Sequence, residues 1–61
     1  MTRIIRKQEL IQITGLSYAT LWRRERAGDF PQRLRLGPHA VGWRLDEIED
    51  WMASRPRVET H

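Results

Sequence analysis

The sequence predicts a mainly α chain with a small β-hairpin, in the order helix, tight turn, helix, hairpin, helix. Three observations carry that expectation. Two short stretches of helical periodicity, residues 7–14 and 18 to about 27, are separated only by Gly15-Leu16-Ser17. The apolar period changes to two at Arg33-Leu34-Arg35-Leu36 and again at Val41-Gly42-Trp43-Arg44-Leu45. It returns to helical spacing at Ile48, Trp51 and Met52.

In the first helix Leu10 and Ile13 stand three residues apart, and Ile11 flanks the same stripe. Gly15 supplies the left-handed conformation that ends many helices, Leu16 turns back to the core, and the Ser17 hydroxyl caps the second helix. That helix has about three turns. Gly28 and Phe30-Pro31 stop it. On its wheel Leu21 points inward with Gly28 on the same line, and Tyr18, Arg24 and Glu25 lie on the flanks. Ala19, Thr20, Arg23 and Arg26 point outward.

Gly37-Pro38-His39-Ala40 is turn chemistry between two alternating runs. Val41, Trp43 and Leu45 share one face, which leaves a two-stranded hairpin with an Arg-lined outer side. A lone hairpin is marginal in water, so it must lie on the helices. The last helix is expected to start at Asp46, where Asp46 and Glu49 have the form of a capping box. Asp46, Glu47, Glu49 and Asp50 crowd the end that the helix dipole makes favourable to acids. Pro56 stops the helix at about Arg55. Residues 1–56 then form one domain and residues 57–61 a flexible tail.

With 61 residues the chain has one thin core and no large internal pocket. It has no cysteine, which excludes disulfides and thiolate metal sites. No apolar run approaches the ~20 residues of a membrane span, and the N-terminus has no signal-peptide pattern, so a cytoplasmic protein is expected. Ten of the eleven basic residues are Arg, the side chain suited to bidentate recognition of phosphate and guanine. Residues 1–45 hold nine cations against three acids, and residues 46–61 two against five. A basic body with an acidic end suits a polyanion-binding face and a separate face that avoids it. Enzyme chemistry lacks its parts, because no nucleophile, base and orienting group assemble. Asp46, Glu49 and Asp50 are explained by capping, so no metal, cofactor or small-molecule ligand is expected.

A short helix, a three-residue turn and a capped second helix form a helix-turn-helix signature, and the hairpin after it is placed as a wing. The expected fold is a winged helix-turn-helix and the expected partner is double-stranded DNA. The second helix enters the major groove. Arg23 and Arg26 reach guanine edges or phosphates, and Thr20 a base or phosphate. Ser17 and Tyr18 stand at the groove-facing end of that helix, and Arg24 beside it. Arg35 and the turn at His39 reach the flanking backbone or a minor groove. In isolation Arg23-Arg24-Glu25-Arg26 is a solvated helix face; its place after a Gly turn and a Ser cap favours DNA contact. Tyr18 divides evenly between packing and backbone contact. Trp22 is expected to pack beneath the wing rather than to stack on nucleic acid, Trp43 and Trp51 to be core, and Arg44 to pair with the last helix's acids as readily as with phosphate.

The ordered set Thr14-Gly15-Leu16-Ser17, Thr20-Leu21-Trp22-Arg23, Gly28-Asp29-Phe30-Pro31, Leu36-Gly37-Pro38, Val41-Gly42-Trp43-Arg44 and Glu49-Asp50-Trp51 resembles the AlpA family of phage-encoded regulators. The resemblance covers roughly residues 3–55. It implies a winged helix-turn-helix related to excisionases and to MerR-type regulators. It also implies a transcription activator, or an excisionase that bends DNA at attachment sites, with neighbouring copies on DNA. The acidic last helix is the face expected to meet a neighbour, RNA polymerase or integrase. The family usually has an apolar residue where this chain has Lys7, and often where it has Arg24. It often has Arg or Asn where this chain has His39. Lys7 then implies a looser N-terminal strand or helix entry, and Arg24 a side chain that snorkels from the core edge and adds a phosphate contact. A reading of another class is a protein-interaction module, such as an antirepressor, that uses the Trp-bearing and acidic face.

Overall fold

The computed structural model describes residues 2–58. In order it contains β1 (Ile4–Ile5), α1 (Lys7–Thr14), α2 (Tyr18–Arg26), β2 (Leu34–Gly37), β3 (Ala40–Arg44) and α3 (Leu45–Ala53). The turn between the first two helices forms as its residues dictate. Gly15 adopts φ 72° and its N–H donates to the Ile11 carbonyl at 2.9 Å. The Ser17 hydroxyl accepts from the Thr20 N–H at 3.3 Å and caps α2. At the far end of α2 Gly28 adopts φ 81°, and the Asp29 N–H returns to the Arg24 carbonyl at 2.8 Å.

Nothing stands within 4 Å of where a Cβ on Gly15 would lie, so a substitution there meets backbone strain alone. Gly15→Ala is expected to cost about 1–2 kcal/mol. Thermal unfolding reads this as a fall in Tm of roughly 4–8 °C for each kcal/mol. An unchanged Tm would mean that the turn reaches its geometry without the left-handed residue.

The sheet departs from the expected two-stranded hairpin. It has three strands in the order β1-β3-β2, both pairings antiparallel. Ile4 and Ile5 pair with Arg44 and Trp43. This outer pairing places the fully buried Ile5 beside Trp43 in the core.

The hairpin's faces are also reversed for Arg33 and Arg35, while Arg44, paired with Ile4, lies on the outer side. Directly paired residues of an antiparallel sheet share a face. Leu34 pairs with Gly42, and Arg35 with Val41. Arg35 is therefore on the side of Val41 and Trp43, and Arg33 packs over the Trp43 ring at 5.2 Å. The outer side carries Ile4 and Leu36, which converge over Gly42; a Cβ there would lie 2.7 Å from Ile4 Cγ2 and 2.9 Å from Leu36 Cδ1. Leu36 is exposed, and a register shift lies between Arg35 and Gly37.

The last helix begins one residue earlier than its capping-box pattern suggests. Arg44 is the N-cap and its side chain caps nothing. Instead β1's lead-in supplies the acceptors. The Leu45 N–H donates to the Arg3 carbonyl at 2.8 Å, and the Asp46 N–H to Thr2 Oγ1 at 3.0 Å. Asp46 Oδ1 accepts from the Glu47 N–H. Because β1 runs beside β3, it delivers Thr2 and Arg3 to the helix start that the capping box would otherwise serve. The helix ends at Ala53, short of the expected Arg55, with Ser54 as its cap. The expected tail lies partly outside the described residues; Arg57 and Val58 have no regular structure.

The core is Ile5, Leu10, Leu21, Phe30, Trp43 and Ile48, all buried, with Ile11, Leu16, Val41, Trp51 and Met52 among the side chains packed around it. Trp51 is half-buried and meets Phe30 edge-on at 4.8 Å. Trp22 does not pack beneath the wing: it is exposed on α2, with the Arg26 guanidinium 4.7 Å from its ring.

Candidate nucleic-acid interface

The outward side of α2 carries a hydrogen-bonded ridge. Ser17, Thr20 and Arg23 follow at i, i+3 and i+6, so they line one face of the helix. The Ser17 hydroxyl donates to Thr20 Oγ1 at 3.0 Å, and Arg23 Nη2 donates to the same oxygen at 3.2 Å. Arg23 and Arg26 are exposed. The wheel's prediction of outward Thr20, Arg23 and Arg26 and inward Leu21 agrees with this arrangement.

Arg24 stands elsewhere. Its Nη1 donates to Asp29 Oδ2 at 2.7 Å, and its guanidinium lies 5.7 Å from the Trp51 ring. It closes the end of α2 against α3, on the flank that leads away from the ridge. Both side chains of the pair are open to solvent, so its stabilisation is about 0–1 kcal/mol.

Tyr18 belongs to a network that ties α2 to the hairpin. Glu25 is the buried acid of α2. Its Oε2 accepts from Arg33 Nε at 2.8 Å, and its Oε1 from Trp43 Nε1 at 3.3 Å. Arg33 Nη1 donates to the Tyr18 hydroxyl at 2.8 Å. The hydrogen bond to Glu25 raises the Arg33 pKa above its ordinary value. Stability from that shift is present below the unfolded pKa of Arg and is lost only as pH rises through the folded one, so it holds throughout the neutral range. No buried side-chain polar atom among the described residues lacks a partner.

The sequence pattern does not disclose this network, because its members are eight, fifteen and eighteen residues apart. Its one local signal is an acid on the inward flank of an apolar stripe, which needs a cation or donor to be buried at all.

Arg35 and His39 are exposed on the hairpin. The His39 turn approaches the start of α1, where Arg6, Lys7, Gln8, His39 and Val41 line one cleft. Lys7 Nζ stands 4.3 Å over the Tyr18 ring.

The ion pairs sort the cations. Arg3 pairs with Glu9, Arg33 with Glu25, and Arg24 and Arg55 with Asp29. Among the described residues no such pair engages Arg6, Lys7, Arg23, Arg26, Arg35 or Arg44. The expected pairing of Arg44 with the acids of the last helix does not form. Unpaired cations thus gather on α2's outward side, on the hairpin and at the start of α1. The acids Asp46, Glu47, Glu49 and Asp50 are exposed on α3. No group of three or more His, Cys, Asp or Glu side chains among the described residues has the geometry to hold a metal ion. No described helix is long and apolar enough to cross a membrane.

Two short helices joined by a glycine turn, a hairpin docked beside the second and a closing helix define a winged helix-turn-helix protein. The chain belongs to the prophage CP4-57 regulatory protein (AlpA) family, whose model matches residues 3–56. It is similar to the uncharacterized protein ORF88 of Enterobacteria phage P4, with 38% identity over 53 residues that cover 87% of this chain and 60% of that protein. It is similar also to the DNA-binding transcriptional activator AlpA of Escherichia coli strain K12. That match has 36% identity over 62 residues, covering 92% of this chain and 89% of the activator. The chain therefore spans less than two thirds of the phage P4 protein's length and most of the activator's.

Proposed function

We propose that this chain is a sequence-specific double-stranded DNA-binding protein that regulates transcription and works by binding, without chemistry. The observation that carries the reading is the ridge Ser17–Thr20–Arg23 on the capped helix of a helix-turn-helix, with Arg23 and Arg26 free of acid partners among the described residues. The likeness to a DNA-binding transcriptional activator supports it.

In this reading α2 lies in the major groove. Arg23 reads a guanine edge, Arg26 meets a guanine edge or a phosphate, and Thr20 orients Arg23 or meets a base. Ser17 and Tyr18, at the helix start, lie close to the backbone. Arg35 and His39 carry the hairpin onto the flanking backbone. The Glu25–Arg33–Tyr18 network fixes the angle between the reading helix and the hairpin, so that both reach one duplex. One unit this small reads few bases, and neighbouring copies on adjacent sites supply the remaining specificity. The acidic α3 is kept off the DNA and is the face open to a neighbour, RNA polymerase or integrase.

The test is selection of bound duplexes from a random pool. The expected result is enrichment of short elements, repeated in tandem, with an affinity that falls linearly in log-log form as salt rises. No enrichment, with retention at low salt no better than that of a neutral control protein, would overturn the reading and move weight to an interaction module.

A further inference from the structure

The cleft between the start of α1 and the hairpin turn is not used by the reading helix. Its walls are Arg6, Lys7, Gln8, His39 and Val41, from two elements far apart in sequence. Arg6, Lys7 and His39 are exposed, and neither Arg6 nor Lys7 has an acid partner among the described residues. Arg35 stands directly across the hairpin from Val41, on the same face of the sheet. Lys7 Nζ lies against the Tyr18 ring, so the cleft adjoins the start of α2. Two cations and an imidazole therefore line one recess, with a third cation, Arg35, on the adjoining strand. Like charges repel when brought together in the free protein, and an anion relieves that repulsion.

We infer that this cleft seats a single backbone phosphate of duplex DNA, held by Arg6 and Lys7 from one wall and His39 from the other. The inference rests on the DNA-binding reading and adds two residues to it, Arg6 and Lys7. A phosphate is the fitting ligand because Arg6 and Lys7 are cationic, His39 adds a ring N–H donor, and the recess is open to a polymer passing across it. Its position also suits the strand that borders the groove occupied by α2, because Lys7 in the cleft wall lies against Tyr18 at the helix start. The clamp sets the register of the protein on the duplex and carries no base information. Lys7 thereby has a role that an apolar residue at the same position would not serve.

The experiment is the salt dependence of binding to a fluorescent duplex, for the full chain and for the double variant R6Q/K7Q. R44Q serves as the control, because Arg44 is an exposed cation with no acid partner among the described residues and lies on the opposite face of the sheet, across from Ile4. Neutralising one phosphate releases its counterions, so the double variant is expected to flatten the log-log slope by about 0.9. H39Q is expected to weaken binding through the loss of one phosphate hydrogen bond, and R44Q to leave the slope unchanged. Every substituted position is exposed, and an unchanged circular dichroism spectrum confirms that each variant is folded. A duplex bound by the parent with the same slope in R6Q/K7Q overturns the clamp and leaves the DNA-binding reading standing. A slope that falls equally in R44Q also overturns it, since net charge alone would then explain the loss. A parent chain that binds no duplex at low salt overturns both.

Discussion

Trp43→Ala is expected to leave the chain largely unfolded at physiological temperature. Trp43 sits in the central strand, is 1% exposed and is the largest fully buried side chain. It meets Ile5 across the sheet, donates its indole N–H to Glu25, and lies under the Arg33 guanidinium. Truncating a buried Trp to Ala costs about 3–5 kcal/mol. A chain of this size holds in total about 3–9 kcal/mol, at ~0.05–0.15 kcal/mol per residue. The loss therefore takes most or all of the stability. Trp43→Phe separates the two parts of the effect. It keeps most of the ring and removes the donor to Glu25 Oε1, and is expected to cost about 1–3 kcal/mol. Urea unfolding followed by far-ultraviolet circular dichroism reads both. An alanine variant that keeps a cooperative transition at a midpoint near the parent's would show that the core is centred elsewhere.

The same residue shows why some of this fold is legible in the sequence and some is not. Trp43 announces itself as core because Val41, Trp43 and Leu45 alternate, and alternation is a local signal. The α1–turn–α2 unit is legible for the same reason: Gly15 and Ser17 act on their immediate neighbours. The β1 strand is different. Ile4-Ile5 is two residues long and has no period of its own; its structure comes from pairing with residues about forty positions away. That pairing then replaces the expected capping box, because Thr2 and Arg3 supply acceptors to the Asp46 and Leu45 N–H groups while Asp46 Oδ1 accepts only from the next N–H, that of Glu47. Arg33 turns inward, against expectation, for a related reason. Alternation in Arg33-Leu34-Arg35-Leu36 separates two faces without saying which is inward, and hydropathy favours the leucines. The buried carboxylate of Glu25 reverses that choice, since it needs Arg33 on the inner side.

The candidate site divides along the same line. Thr20, Arg23 and Arg26 are outward because the helix wheel is local geometry. Arg24, adjacent in sequence to Arg23, differs from it through Asp29, which only the chain reversal at Gly28 brings within 2.7 Å. Trp22 is exposed, and the join between α2 and the hairpin is made by Tyr18, Glu25 and Arg33 instead. Arg6 and Lys7 stand out in the sequence only as successive cations at the start of the first helix; their meeting with His39 is a property of the folded chain.

Arg23→Ala is expected to abolish preference for the selected site while leaving general duplex binding nearly intact. Arg23 is exposed and outward, and Thr20 Oγ1 holds its Nη2 at 3.2 Å. This hydrogen bond restricts a long side chain before DNA arrives, which reduces the entropy lost on binding. A guanidinium placed so presents two parallel donors to a guanine edge, and loss of such a contact costs about 1–3 kcal/mol against the right base. In affinity that is roughly tenfold to a hundredfold on the preferred duplex. Thr20→Val, which removes the hydroxyl and nearly keeps the volume, is expected to lose a part of the same preference, because Arg23 then has to be ordered by the DNA itself. Arg24→Ala provides the contrast: its partner is Asp29, so its removal should alter site preference little. Fluorescence anisotropy on the selected duplex and on a scrambled one, at equal salt, measures each ratio. Equal losses on both duplexes for Arg23→Ala would make Arg23 a phosphate contact, and base reading would then have to come from Arg26 on the neighbouring turn of the same helix.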